Sequence, residues 1–212
     1  MVRPHVAVVD YGMGNVRSVM NALNYLGASV ELVDDPDQLG HFGFLVLPGV
    51  GSFRRGMEAL RARHLDQAIL ASVKTGQSKI LGICLGMQLL GIRGSEDGVT
   101  EGLGFANQSV DRFTPEEVGD LKVPHVGFNA VNFEDKSLLF KGLPQGADFY
   151  FTHSYRMKPV DIEGTIATCE YGTRFLAAFE MNNVFGTQFH PEKSQTNGLM
   201  LLSNFLDSPR HA

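Results

Sequence analysis

Three apolar stretches, each running into glycine, constrain this chain more than anything else in it: HVAVVDYG at 5–12, GFLVLPGVG at 43–51 and KILGICLG at 79–86. None alternates polar with apolar residues, so each has to be covered on both faces. Strands of that kind belong in a parallel sheet between two helical layers. The segments between them supply the layers. NVRSVMNALNYLG has helical period, with Val16, Val19, Leu23 and Leu26 on one face, Asn15 at its start and Gly27 as its stop. ASVELV reads as a second strand, DDPDQLG as a polar turn, and residues 53–75 as two further helices. This β-α-β-α-β order predicts an α/β fold with a parallel sheet flanked by helices.

The second half is richer in short extended runs, at 121–133, 147–157, 164–172, 174–182 and 183–194, separated by Gly, Pro and Asn. They predict added mixed or antiparallel strands. A last helix over 197–206 carries Leu199, Leu202 and Phe205 on its apolar side. No linker or repeat interrupts the chain, which reads as one domain over residues 1–212.

Composition excludes several classes. With 18 Lys and Arg against 23 Asp and Glu, the formal charge is -5, and no basic run offers a nucleic-acid footprint. The N-terminal apolar run is too short to span a membrane and lacks a cleavage site. Two cysteines, Cys84 and Cys169, make no disulfide framework. The expectation is a cytoplasmic protein with reduced thiols and no nucleic-acid or membrane partner.

GICLG, Gly82 to Gly86, has the spacing of a nucleophile elbow with Cys in the central position. In such a turn the strand ends, the chain reverses sharply and the thiol stands at the mouth of a helix. Flanking side chains would collide with the tight backbone. The helix start favours thiolate and offers the Leu85 N–H to an oxyanion. A small cysteine packed in a tight turn would give the same pentapeptide. Cys169, in IATCEYG, has no comparable frame and reads as a packed strand residue.

A nucleophile needs a base. His190 ends an apolar run in GTQFHPEKS, two residues before Glu192. In an extended segment those side chains point to the same side, and Pro191 stiffens the pair. A carboxylate on one ring nitrogen leaves the other for the thiol, an arrangement that needs neither metal nor cofactor. His5, His41, His64 and His211 fall near termini or polar turns and read as solvated. His125 and His153 sit beside strands, as structural or substrate-adjacent groups. LPGVGSF, at the end of the third predicted strand, places Val50 and Gly51 beside the elbow, because strand ends of a parallel sheet share one crevice. It lacks the lysine and the spacing of a phosphate loop.

PGVG, GICLGMQ and FHPEKS, in this order and spacing, resemble the class I, or triad, glutamine amidotransferases. DYGMGN at 10–15, VPHVGFN at 123–129 and FTHSY at 151–155 narrow the resemblance to the glutaminase subunits of imidazole glycerol phosphate synthases, over essentially the whole chain. The resemblance implies a flavodoxin-like fold and a Cys84–His190–Glu192 triad that hydrolyses L-glutamine through a thioester. It implies an oxyanion hole from Val50, Gly51 and Leu85, and a glutamine pocket from Gly49, Gln88, Glu96, Ser154 and Tyr155. It further implies a heterodimer with a (β/α)8-barrel synthase subunit that receives the ammonia and makes imidazole glycerol phosphate and AICAR. Asn15, Pro124, His125, Phe128 and Lys193 would face that subunit, and the oxyanion peptide would become competent only when the synthase side is occupied.

Two positions depart from the usual pattern. Phe128 stands where the family has Trp, and LLGIRGSEDGVTEGLGF after the elbow is closer to paralogues that feed a barrel synthase modifying surface-polysaccharide sugars. That paralogous role is the alternative reading. A partner-independent γ-glutamyl cysteine hydrolase and a non-catalytic relative are the others, and the presence of all three triad residues speaks against the last.

Overall fold

The computed structural model describes residues 3–209, so His211 lies outside the described residues. In chain order the elements are β1 (His5–Val9), α1 (Val16–Tyr25), β2 (Ser29–Val33), β3 (Phe44–Gly49), α2 (Phe53–Ala62), α3 (Leu65–Lys74), β4 (Lys79–Cys84) and α4 (Leu85–Leu89). There follow β5 (Arg93–Gly94), β6 (Thr100–Glu101), β7 (Ser109–Arg112), α5 (Pro115–Val118), β8 (His125–Phe133), β9 (Ala147–His153) and β10 (Tyr155–Met157). The chain ends with β11 (Thr165–Tyr171), β12 (Thr173–Met181), β13 (Val184–Thr187) and α6 (Gln195–Asp207).

A nine-stranded sheet runs in the order β2-β1-β3-β4-β13-β12-β11-β8-β9. From β2 to β13 neighbours are parallel; from β13 to β9 they are antiparallel. The expected α/β sheet with antiparallel additions is therefore present. A four-stranded sheet, β10-β7-β5-β6, stands beside it.

The continuous apolar runs are explained by two cores, one on each face. Val6, Val8, Val46, Leu81 and Ile83 point to the layer of α1 and α6, where Leu23, Leu201 and Phe205 meet them. Ala7, Val9, Leu45, Leu47 and Ile80 point to the other layer, against Met57 of α2, Ile69 of α3 and Met87 of α4. All of these residues are buried. A polar residue on either face of the inner strands would have lost its water without gaining a partner.

Local signals held in part. Gly27 (φ +85°) closes α1, with its N–H on the Asn24 carbonyl and the Ala28 N–H on Leu23. Asn15 precedes α1, but its side chain donates to Ser18 Oγ at 3.1 Å and caps no backbone N–H. DDPDQLG is not a plain polar turn. Residues Pro36–His41 form a 3-10 helix, capped by Asp35 through the Asp37 N–H, and Leu39 within it is fully buried. The run over 147–157 breaks at Ser154, where the chain leaves the large sheet for the small one. The last helix is longer than expected, and its buried face is Leu201, Leu202, Phe205 and Leu206, with Leu199 half-buried.

Candidate active site

The four inner parallel strands deliver their C-terminal ends to one edge. β3 ends at Gly49, β4 at Cys84, and β13, which arrives from near the far end of the chain, lies next to β4 in parallel register with Gly186 opposite Gly82. This long-range pairing puts the segment after β13 over the cysteine.

Cys84 has φ +55° and ψ -109°, a backbone conformation that a non-glycine residue adopts only where the surroundings enforce it. The enforcement is visible in its glycines. A Cβ on Gly86 would overlap the Leu47 carbonyl, and one on Gly82 would lie 2.6 Å from the Met87 nitrogen. The elbow read in the sequence is present, with Cys84 buried and its sulfur turned toward a cavity of about 430 Å³. A larger depression of about 560 Å³, between the end of α3 and the β12–β13 turn, is lined by neither cysteine nor histidine.

His190 and Glu192 meet, as expected, but not along an extended strand. β13 stops at Thr187, and Pro191–Lys193 form a 3-10 turn that folds Glu192 back. His190 Nδ1 lies 2.8 Å from Glu192 Oε1, both side chains almost wholly buried. The His190 Nε2 is buried and has no hydrogen-bond partner of normal geometry among the described residues; Cys84 and Glu192 are the charged groups the ring senses. Burial by itself would lower the imidazole, but the Cys84 thiol beside it and the hydrogen bond and charge of Glu192 raise it to about 9.

The cavity is lined by Val50, Gly51, Leu85, Gln88, Glu96, Ser154 and Tyr155 together with the thiol, so these sequence-derived site residues come together. Gly49, expected in the same pocket, is buried at the end of β3 and does not line the cavity itself. Gly51 has φ +113°, open to glycine and strained for other residues. Glu96 is fixed at the start of α2, where its Oε2 accepts the Phe53 N–H at 2.9 Å. Gln88 Nε2 donates to the Tyr155 carbonyl and to Gln188 Oε1, each at 3.0 Å. Its Oε1 takes no hydrogen bond from the described residues and is left as an acceptor. Such a group suits the ammonium end of an amino acid. Burial and the Glu96 charge raise the Tyr155 phenol.

Of the residues expected at a partner surface, Asn15, Pro124, Phe128 and Lys193 are exposed. Phe128 packs edge-on against Tyr150, its cross-strand neighbour, and Lys193 Nζ stands 5.8 Å from the same ring. His125 is different and corrects the sequence reading: it is 3% exposed. Alternation along β8 turns Val126 and Phe128 outward and His125 inward. There its Nδ1 lies 3.1 Å from His153 Nε2, and His153 Nδ1 donates to the Tyr155 carbonyl at 2.9 Å. Burial lowers both imidazoles, His125 to about 4 and His153 to about 3, so the pair is neutral. Val126, 56% exposed beside Phe128, was not singled out in the sequence. Gln188 was also missed, although it stands in the same GTQFHPE run as His190.

A cysteine on a strand-to-helix elbow, a histidine–carboxylate pair over it and a pocket with a free amide oxygen define an amidohydrolase-type site on an α/β sheet. The sequence matches the family described as glutamine amidotransferase class-I over residues 7–208, and the chain belongs to that family. Among its relatives is imidazole glycerol phosphate synthase subunit HisH of Moorella thermoacetica, 44% identical over 211 residues, covering 100% of this chain and 98% of the relative. HisH 2 of Pseudomonas aeruginosa is 41% identical, covering 95% and 98%. In solved structures the fold recurs in PurLQS from Thermotoga maritima (TM-score 0.72, 21% identity, 97% and 99% covered). It recurs also in a structure described as a glutamine amidotransferase (TM-score 0.72, 20% identity, 95% and 97% covered).

Proposed function

We propose that this chain is the glutaminase subunit of an imidazole glycerol phosphate synthase, a single glutamine amidotransferase domain that passes ammonia to a (β/α)8-barrel partner. The observation that carries the reading is the buried His190 ring, bonded to Glu192 through Nδ1 and turned with Nε2 toward Cys84 at the wall of a polar pocket. The near full-length likeness to HisH subunits supports the acceptor.

Glutamine binds with its ammonium toward Gln88 Oε1 and Glu96 and its carboxamide over Cys84. The thiolate attacks the carboxamide carbon, and the new oxyanion meets N–H groups from Leu85 and the Val50–Gly51 loop. The His190 imidazolium gives its proton to the departing nitrogen as the C–N bond breaks, releasing ammonia and leaving a glutamyl thioester. His190 then takes a proton from water as the water oxygen attacks the thioester, and glutamate leaves with the thiol restored. Glu192 holds the ring throughout. The exposed Phe128, Val126 and Lys193 on the β8–β9 face form the barrel-facing surface, joined there by Asn15 and Pro124. His125 supports that face from inside.

The test is a coupled assay with the synthase subunit from the same source. Glutamine replaces free ammonia in forming imidazole glycerol phosphate and AICAR, and Cys84→Ala abolishes only the glutamine-dependent rate. Loss of the ammonia-dependent rate as well refutes this division of labour. A partner that instead amidates a sugar identifies the acceptor of the surface-polysaccharide paralogues.

A further inference from the structure

The Cys84 sulfur has two polar neighbours besides the base. The Thr152 carbonyl lies at 4.0 Å, and Gln188 Nε2 at 3.7 Å. Gln188 is fully buried, directly after β13 and two residues before His190.

The orientation of its amide is fixed by a chain of obligatory roles. The Tyr155 carbonyl can only accept, so the group that Gln88 presents to it is its NH2. The same Gln88 nitrogen lies 3.0 Å from the Gln188 side chain, which must therefore answer with its oxygen. That leaves the Gln188 NH2 facing the sulfur. An N–H fixed in that place has an acceptor in a thiolate, whose charge it offsets, and a poorer one in a neutral thiol.

We propose that Gln188 is a further catalytic residue: its carboxamide donates to Cys84 Sγ and holds the nucleophile in its reactive form. Gln88 sets this orientation from within the glutamine pocket, so one amide ladder joins the substrate site to the thiol. This inference rests on Cys84 being the nucleophile. The other titratable groups on the sulfur's surroundings are His190 with Glu192 on the turn after β13, His153 at the end of β9 and Tyr11 after β1. Gln188, unlike these, does not titrate.

The experiment measures alkylation of the full chain by iodoacetamide as a function of pH. The sulfur forms a bond to the CH2 carbon as iodide departs, so the rate follows the thiolate fraction. Wild type is compared with Gln188→Met, similar in length without a donor, and with the isosteric Gln188→Glu. Cys84→Ala identifies the labelled residue. The expected result is a profile displaced upward by about one pH unit in Gln188→Met, with alkylation near pH 7 about tenfold slower and the high-pH plateau unchanged. Gln188→Glu moves in the same direction. A packing role alone changes melting temperature and leaves the midpoint in place. If Gln188→Met fails to fold, Gln188→Leu, also apolar and without a donor, decides. Profiles that coincide with wild type overturn the proposal. If Cys84→Ala retains glutaminase activity, the nucleophile assignment itself fails; if it is inactive and the profiles coincide, only the role of Gln188 does.

Discussion

Replacing Glu192 by Gln tests how the His190 charge is coupled to the fold. The imidazole is raised from 6.5 to about 9 against an opposing burial effect, by the Cys84 thiol beside it and by the hydrogen bond and charge of Glu192. The whole shift corresponds to about 3 kcal/mol of preference for the protonated ring, and Glu192 supplies part of it. The sign follows from linkage. A group whose folded-state value is raised stabilises the protein fully below its unfolded value near 6.5, and that stability is lost as pH rises through about 9. Denaturant unfolding of wild type and Glu192→Gln at about pH 6 therefore shows a gap on the order of 1–2 kcal/mol. At about pH 9.5 the gap shrinks to a few tenths of a kcal/mol, because a neutral Nδ1–H still donates to the amide oxygen of Gln. Glu192 Oε2 is without a hydrogen-bond partner among the described residues, so replacing it disturbs no second bond. A gap that is constant or larger at the higher pH refutes the coupling.

Gly86→Ala places a methyl in the Leu47 backbone, which cannot move aside as a flexible side chain would. It is expected to cost more than about 3 kcal/mol or to prevent folding, and a melting curve matching wild type contradicts the close approach. Glu180→Ala removes a buried carboxylate that accepts from Ser137 Oγ and from the Leu138 and Leu139 N–H groups at 2.9 and 3.0 Å. The expected loss is about 3–5 kcal/mol in denaturant unfolding, as two backbone donors are left unpaired. Tyr11→Phe removes a buried hydroxyl that has no hydrogen-bond partner among the described residues. Its melting temperature is expected to equal or exceed that of wild type, by up to about 1 kcal/mol in stability.

The parallel half of the fold was legible because each inner strand is bounded by two cores, and continuous burial writes itself into continuous apolar sequence. The elbow was legible for a similar reason: the close approaches at Gly82 and Gly86 admit no side chain, so the glycines mark the turn. Leu39 was hidden because one buried residue among polar and small ones leaves no period to read. His125 was misplaced because its partners, His153 and the rings of Phe151 and Tyr171, come from other strands. Only the alternation of β8, with Val126 and Phe128 outward, gave the direction. Gln188 went unseen since its amide orientation is decided by Gln88 and Tyr155, which come from other elements far along the chain. The pairing of β13 with β4 has no local signature at all.

The two cysteines of this chain show what that long-range pairing accomplishes. Cys169 lies on β11 with its side chain in the core, where burial first and the Glu170 charge second push its thiol up to about 12. It has an apolar surround and no base, so the same functional group is inert there. Cys84 occupies a strand end instead of a strand middle, and the difference is entirely in what the fold brings to it. β3 supplies the glycine loop, α4 begins at its own backbone, and β13 brings an amide and an imidazole from the far end of the chain. None of these groups is near Cys84 in sequence except the helix start. The surroundings of Cys84 are therefore a property of the whole sheet: the first four strands hold the elbow, and the imidazole arrives only with β13. β13, between the parallel and antiparallel halves of the sheet, is the strand that brings His190 to Cys84.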